Sequence, residues 1–141
     1  MQDLIPLLQT GADSAMLALI WLVQLIIYPA FRHIRPDRFP AWHRIYVRTI
    51  SVIVIPLMLI QACCIAVQLM GAPKPEQLGA AGAVLSAWVV TFTISAPCHR
   101  KLQAVGSDEA LIQHLINTNW LRTIGWTLAW ILNLQAYLTG G

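Results

Sequence analysis

Charged residues are scarce in this chain of 141 residues: they make up 11% of the sequence, whereas 57% of the residues are hydrophobic. A soluble domain carries about 25% charged residues, so this composition indicates an integral membrane protein. Four apolar stretches approach the length of roughly 20 residues that a helix needs to cross a bilayer. We predict one transmembrane domain with spans at residues 12–31, 46–70, 78–98 and 118–138, which leaves little chain for a soluble domain.

Several motifs are also missing, and each absence removes a class of site. The chain contains no HxxxH, ExxH or CxxC motif, which argues against a zinc or di-iron centre. No histidine lies in the middle of a span, which argues against a deeply buried haem. Cys63, Cys64 and Cys98 form no disulfide framework and are expected as free thiols. Metal and cofactor are therefore left unassigned.

The first ten residues contain no Lys or Arg, so we expect the first helix to stay in the mature protein rather than act as a signal peptide. Basic residues instead concentrate around two of the linkers between spans. Eight of the nine are Arg32, Arg35, Arg38, Arg44, Arg48, Arg100, Lys101 and Arg122. Because basic linkers stay in the cytoplasm, the pattern predicts an all-α, four-helix up-down bundle with both termini outside, in the bacterial inner membrane. The arginines flank apolar spans without an aromatic-basic module, so nucleic acid is not an expected partner.

Polar residues recur at helical spacing within the spans. In the last span the pattern falls on Asn119, Thr123, Trp126, Trp130, Asn133 and Tyr137, at intervals of three and four. An unpaired amide or hydroxyl is costly in hydrocarbon, so these stripes should face other helices. Trp126 and Trp130 are then expected either to wall a cavity for a flat ring or to fill the core. Asp13 is expected to cap the first helix.

An up-down bundle brings polar residues from all four helices to one depth at the cytoplasmic end. This predicted ring consists of Tyr28, His43, Tyr46, His99, Asn119 and Arg122, with Gln24 one turn deeper and Trp126 beside it. His43, His99 and Arg122 are the candidate catalytic residues. The candidate ligand- or cofactor-binding residues are Gln24, Tyr28, Tyr46, Asn119 and Trp126.

Alternatives stay open for several of these residues. Arg122 could reach lipid phosphates, pair with Asp108, Glu109 or Asp37, or bind an anionic ligand. Asn119 could simply cap the fourth helix. Small residues four apart in the third span, at Gly79, Ala83 and Ala87, allow a close helix contact within the bundle or with another chain.

The motifs resemble those of a family of small bacterial four-span membrane proteins to which no activity is assigned. The resemblance rests on W-x-x-Q-x-x-x-Y-P, Trp-His followed by Tyr, Pro-x-His and N-W-x-R-T-x-x-W. They fall on Trp21, Gln24, Tyr28, Pro29, Trp42, His43, Tyr46, Pro97, His99, Asn119, Trp120, Arg122, Thr123 and Trp126. The chain is more distantly similar to anthrone oxygenase-like membrane proteins and to small haem-binding protoporphyrinogen oxidases. The resemblance implies that the residues of the ring belong to one site.

We therefore expect a membrane protein that binds, and as a further step oxidises, a hydrophobic ring compound at the cytoplasmic end of the bundle. A histidine would act as base and Arg122 would hold an oxyanion or carboxylate. One alternative is a non-catalytic subunit of a respiratory or photosynthetic membrane complex that uses the small-residue ridge as its contact. Another is a small transporter, for which the spans lack the usual acidic carriers.

Overall fold

The computed structural model describes residues 4–139, which fold into helices joined by short linkers. The four long helices are α1 (Leu4–His33), α2 (Phe39–Leu69), α3 (Pro75–Val105) and α4 (Glu109–Leu138). No strand occurs among the described residues, which confirms the all-α class. Helices α1 to α3 are long and apolar enough to cross a membrane. Every helix begins earlier or ends later than its predicted apolar span, because the helices continue into polar flanking sequence.

Contacts between the helices connect them in chain order. α1 packs against α2 and α4, α3 packs most extensively against α4, and α2 meets α3 over a shorter region. We call the end that carries linkers 34–38 and 106–108 the basic end, and the end that carries linker 70–74 the opposite end. The buried apolar core extends to the basic end, where it is formed by Phe31, Phe39, Leu102, Ile112 and Leu115. This core fixes the first turns of α2 and α4 relative to the last turns of α1 and α3.

Each of α1 and α3 contains one wide π-helical turn, at Val23–Ile27 and at Thr91–Ser95. Each turn ends two residues before a proline, Pro29 or Pro97. A proline has no N–H, and its ring crowds the carbonyl four residues earlier, so the helix widens just before it. The distortion of each helix therefore lies in the turn before its proline.

The ridge of small residues on α3 is used within the chain. Ala83 and Ala87 are buried, and a Cβ atom added to Gly125 of α4 would lie 3.2 Å from both the Ala83 carbonyl oxygen and the Ala87 Cβ. Only Gly79 of the predicted ridge is exposed. Because α4 already covers Ala83 and Ala87, these two residues offer no free surface for a contact with another chain.

Asp13 is not a helix cap, because α1 begins at Leu4 and continues past it. Its side chain is only 2% exposed and points between helices. Gln9 Nε2 donates to both carboxylate oxygens at 3.0 Å, Gln61 Nε2 donates at 2.6 Å and Asn133 Nδ2 donates at 2.7 Å. The expectation that Asp13 caps the first helix is therefore wrong, and its carboxylate is instead a buried acceptor between helices.

Candidate ligand-binding site

A cavity of about 490 Å³ lies between the helices at the basic end. Ligand-binding pockets usually measure about 300–1,000 Å³, so this volume suits a small molecule. Its polar wall is formed by Tyr28, His43, His99, Gln103 and Arg122. The rest of the lining is mainly aliphatic. The exposed arginines Arg44, Arg48 and Arg100 line its mouth, between α2 and α3.

The polar wall is a continuous chain of hydrogen bonds that crosses all four helices. Arg122 Nη1 donates to the Tyr28 hydroxyl at 3.2 Å, and that hydroxyl lies 3.0 Å from His99 Nε2. His99 Nδ1 lies 3.0 Å from His43 Nε2, and His43 Nδ1 lies 3.1 Å from Gln103 Oε1. Gln103 Nε2 then donates to the Pro40 carbonyl at 3.1 Å. The chain links the buried guanidinium to the first turn of α2.

The two ends of this chain determine the direction of every bond in it. Gln103 gives its N–H to Pro40, so its oxygen must accept from His43 Nδ1. With both imidazoles neutral, His43 Nε2 then accepts from His99 Nδ1, and His99 Nε2 accepts from the Tyr28 hydroxyl. The Tyr28 oxygen remains free to accept from Arg122, which only donates. Both histidines therefore carry their proton on Nδ1.

Aromatic rings hold the two imidazoles in place. Phe31 is completely buried, and its ring meets those of Trp42, His43 and Tyr46 edge to face, with centroids 5.2–5.7 Å apart. Tyr46 in turn stacks on Trp42 at 5.6 Å. Edge-to-face contacts of this kind restrict ring rotation. The imidazoles are therefore oriented before a ligand arrives.

Arg122 is buried with only 7% of its surface exposed. Besides Tyr28, its Nη1 atom donates to Asn119 Oδ1 at 3.0 Å and lies 3.5 Å from Ser95 Oγ. Its guanidinium also lies 5.2 Å from the centre of the Trp126 ring, as in a cation–π contact. Among residues 4–139 no carboxylate comes within 4.0 Å of it, so the predicted pairing with Asp108, Glu109 or Asp37 is wrong. The side chain points inward, so it does not extend along the outer surface of α4 as the lipid-phosphate alternative expected.

Three of the predicted binding residues, Gln24, Asn119 and Trp126, do not line the cavity but lie behind the side chains that do. Gln24 Oε1 accepts from Asn119 Nδ2 at 2.9 Å and from Thr123 Oγ1 at 3.3 Å. Asn119 is not a helix cap, since α4 begins at Glu109 and the Asp108 carboxylate caps it through Leu111 N. These amides fix the position of Arg122 instead of facing a ligand.

The tryptophans do not wall the cavity. Trp126 is buried and donates from Nε1 to Gln61 Oε1 at 3.3 Å, while Trp130 donates to Ser14 Oγ at 2.9 Å near the surface. The aromatic side chains that line the cavity are those of Tyr28 and Tyr46, together with the two imidazoles. Of the predicted site residues, the cavity thus collects His43, His99, Arg122, Tyr28 and Tyr46.

Sequence analysis missed two important members of the site. Gln103 lies four residues after His99, one helical turn further along α3, and this spacing was the available signal. Phe31 follows Gln24 and Tyr28 at helical spacing on α1, but an apolar residue at a helix end is not distinctive by itself. Both become recognisable only when the ends of α1, α2 and α3 are placed together.

No group of three or more His, Cys, Asp or Glu side chains that could hold a metal ion occurs within residues 4–139. All four ring nitrogens of His43 and His99 are engaged in hydrogen bonds, so metal ligation would have to break the chain described above. Comparisons of the chain with models of protein families, with curated proteins and with solved structures found no match. Function is therefore inferred from the geometry of this cavity.

Proposed function

We propose that this chain is a four-helix bundle of the bacterial inner membrane, with both termini outside, that binds a hydrophobic ring compound in the cavity at the basic end. Helices α1 to α3 have the length and hydropathy of membrane spans. We include α4 because its polar residues Asn119, Arg122 and Asn133 are buried. Its exposed residues in the same region are the apolar Leu121, Ile124, Leu128 and Ile131. Lipids of the bilayer are therefore the partners that we propose for the exposed apolar faces of the four helices.

The observation that carries the binding proposal is the pairing of an aliphatic cavity with one pre-oriented polar wall. Apolar pockets with a few convergent polar groups are the usual form of small-molecule sites. A flat ring would lie against the side chains of Ile20, Val23 and Ile50, which line the cavity, with its oxygen directed at Tyr28 and Arg122. Tyr46 would contact the edge of the ring. The aromatic wall predicted for Trp126 and Trp130 forms no part of this arrangement.

The hydrogen-bond chain would provide a path for the proton that is removed from a ligand hydroxyl. The ligand proton would pass to the Tyr28 oxygen while the Tyr28 proton moves to His99 Nε2. The Nδ1 proton of His99 would move to His43 Nε2, so that His43 ends as the imidazolium and Gln103 Oε1 stabilises it. Arg122 would stabilise the oxyanion left on the ligand. Oxidation of the bound compound stays a prediction of the sequence.

Binding can be tested with a hydroxyanthraquinone as the probe, titrated into the protein in lipid nanodiscs and followed by its visible absorbance. Ala96 lines the cavity, so Ala96→Phe should fill it and weaken binding about tenfold or more, or about 1.4 kcal/mol. Ala104 lies two turns further along the same helix and is exposed, so Ala104→Phe is the matched control and should bind as the unchanged protein does. Equal affinities for both variants would reject the cavity as the site.

A small transporter is the second candidate, and buried Asp13 is the observation that favours it. Ionisable residues inside membrane spans commonly mark proton or cation pathways. No comparable observation supports the alternative of a complex subunit, because α4 covers Ala83 and Ala87 of the small-residue ridge that was expected to contact other subunits.

A further inference from the structure

The charged side chains around the cavity all carry the same sign. Arg122 lies inside the cavity, and Arg44, Arg48 and Arg100 line its mouth, whereas no Asp or Glu within residues 4–139 contributes to the lining. A cleft lined by one sign of charge, with apolar walls, concentrates ligands of the opposite sign. The cavity therefore selects against cations and favours an anion.

Among residues 4–139, the innermost of these arginines donates hydrogen bonds from Nη1 alone and has no charged partner. Arg122 Nε is buried without any acceptor, while the partners of Nη1 are the neutral groups of Tyr28, Ser95 and Asn119. A buried ion without an opposite charge is expensive, and a buried donor without an acceptor adds to that cost. An anionic group in the cavity would supply the missing charge beside this guanidinium.

The shape of the cavity separates its charged end from an apolar end. Along α1 its lining runs from Tyr28 to Met16, a distance of about 18 Å for twelve residues of helix. We call this elongated cavity the channel, and its volume of about 490 Å³ is that of a site for one small molecule. Leu19 and Val54 extend its apolar lining near Met16. We therefore expect room for a single apolar chain rather than for a whole two-chain lipid.

We propose that the natural ligand is a single-chain anionic amphiphile. Its acidic head, a carboxylate, a phosphate or an ionised ring hydroxyl, binds Arg122 below the arginines of the mouth, and its apolar tail lies along the channel towards Met16. This inference rests on the proposed function, because it uses the same cavity, and it adds the charge and shape of the compound. A ring compound satisfies it when the ring is acidic and carries a tail.

The experiment uses hexadecanoate and hexadecanol as probes, which share a chain and differ in the charge of the head. Each is added to the protein in phosphatidylcholine nanodiscs, and binding is measured by displacement of the hydroxyanthraquinone and by native mass spectrometry. Hexadecanoate should bind one to one and at least tenfold more tightly than hexadecanol. Arg122→Gln should remove that preference, whereas Arg35→Gln, in the basic linker outside the cavity, should retain it. Equal binding of the two probes to the unchanged protein would overturn the inference.

A second pair of variants keeps the test valid if Arg122→Gln fails to fold. Arg48 and Arg100 are exposed, so replacing both by Gln leaves the core intact, and the preference for hexadecanoate should fall severalfold and respond less to salt. An unchanged preference and salt response would contradict the inference. Phosphatidylglycerol in the nanodisc should not displace hexadecanoate. If it does, the inferred single-chain ligand is wrong and the cavity binds a two-chain lipid.

The outcomes also separate the two proposals. Binding of the hydroxyanthraquinone without binding of hexadecanoate overturns the amphiphile and leaves the ring-compound site standing. Binding of hexadecanoate alone, blocked by Ala96→Phe, supports the amphiphile and removes the ring compound as ligand. Binding of neither probe overturns both proposals.

Discussion

Two opposite charges are buried in the same helical interior, and neither is in contact with a counter-ion from the part of the chain that the structure describes. Asp13 is held by amide N–H groups, and Arg122 by hydroxyl and amide oxygens. They are joined indirectly, since Gln61 donates to Asp13 and accepts from Trp126, whose ring lies beside Arg122. Asn133, which binds Asp13, lies eleven residues after Arg122 on α4, or about 16 Å away, which is too far for an ion pair. Neutral dipoles therefore stabilise both charges.

We expect Asp13→Ala to lower the free energy of unfolding by about 3 kcal/mol, because it leaves the donors of Gln9, Gln61 and Asn133 without an acceptor. Asp13→Asn keeps one acceptor oxygen and should cost less, about 1 kcal/mol. Thermal or denaturant unfolding in detergent measures the difference. The control is Asp37→Ala, which removes an exposed ion pair with Arg35 and should change stability by less than about 1 kcal/mol. A loss for Asp37→Ala as large as that for Asp13→Ala would contradict this account.

The Asn variant also distinguishes a structural from a transport role for Asp13. If the carboxyl carries protons, proteoliposomes with the unchanged protein should dissipate a pH gradient that Asp13→Asn vesicles retain. Equal rates from both preparations would leave Asp13 with a structural role and would remove the observation that favours a transporter.

At the scale of the helices, the most extensive contact is the one between α3 and α4. It depends on Gly125, where any side chain would press on the backbone of α3 at Ala83. Small residues drive helix association in membranes because they let backbones approach. The same contact positions the N-terminal half of α4, and with it Arg122, against the end of α3 that bears His99. Helix packing and the geometry of the site are thus coupled.

Gly125→Ala should therefore separate α3 from α4 and cost about 1–3 kcal/mol of stability, as overpacking of a core does. Gly82 provides the matched control on the facing helix, since a Cβ atom added there meets nothing within 4 Å. Gly82→Ala should be neutral or slightly stabilising, because alanine favours the helix more than glycine does. The two melting temperatures in detergent measure this contrast, and a Gly125 variant as stable as the Gly82 variant would show that the contact is not tight.

At the scale of the whole molecule, charge divides the chain into two ends. The basic end holds the arginine-rich linkers and the cavity, whereas the loop around Lys74 holds a single basic residue. Helices that carry this asymmetry orient with the basic linkers in the cytoplasm. The cavity would then open at the inner face of the membrane, where its ligand would arrive from the cytoplasm or from the inner leaflet.

Fusions to alkaline phosphatase, which is active only outside the cytoplasm, test this orientation. A fusion after Thr139 should be active, and a fusion at Gly106, inside a basic linker, should be inactive. Cytoplasmic fluorescence of a reporter at the same two positions should show the opposite pattern. An inactive fusion after Thr139 together with an active one at Gly106 would reverse the proposed orientation.

Most of the helical architecture was predictable from the sequence, and the details of the site were predictable only in part. Arg122, His99, His43, Tyr28 and Tyr46 were grouped correctly as neighbours, because helix ends at one depth must meet in an up-down arrangement. Their division into lining and supporting residues, and the inclusion of Gln103 and Phe31, could not be predicted. That division depends on the rotation of each helix, which a periodic pattern leaves uncertain by a residue or more.

Taken alone, the sequence was sufficient to predict that this protein is helical and apolar enough for a membrane, because composition and the length of the apolar runs set those properties locally. It also determined which end is basic. Only the packing of the helices established that Asp13 is a buried acid, that Ala83 and Ala87 pack against Gly125, and that the arginines lie around a cavity whose lining, within residues 4–139, contains no acid. Those features depend on which helix faces meet, and packing across residues far apart in the chain decides that.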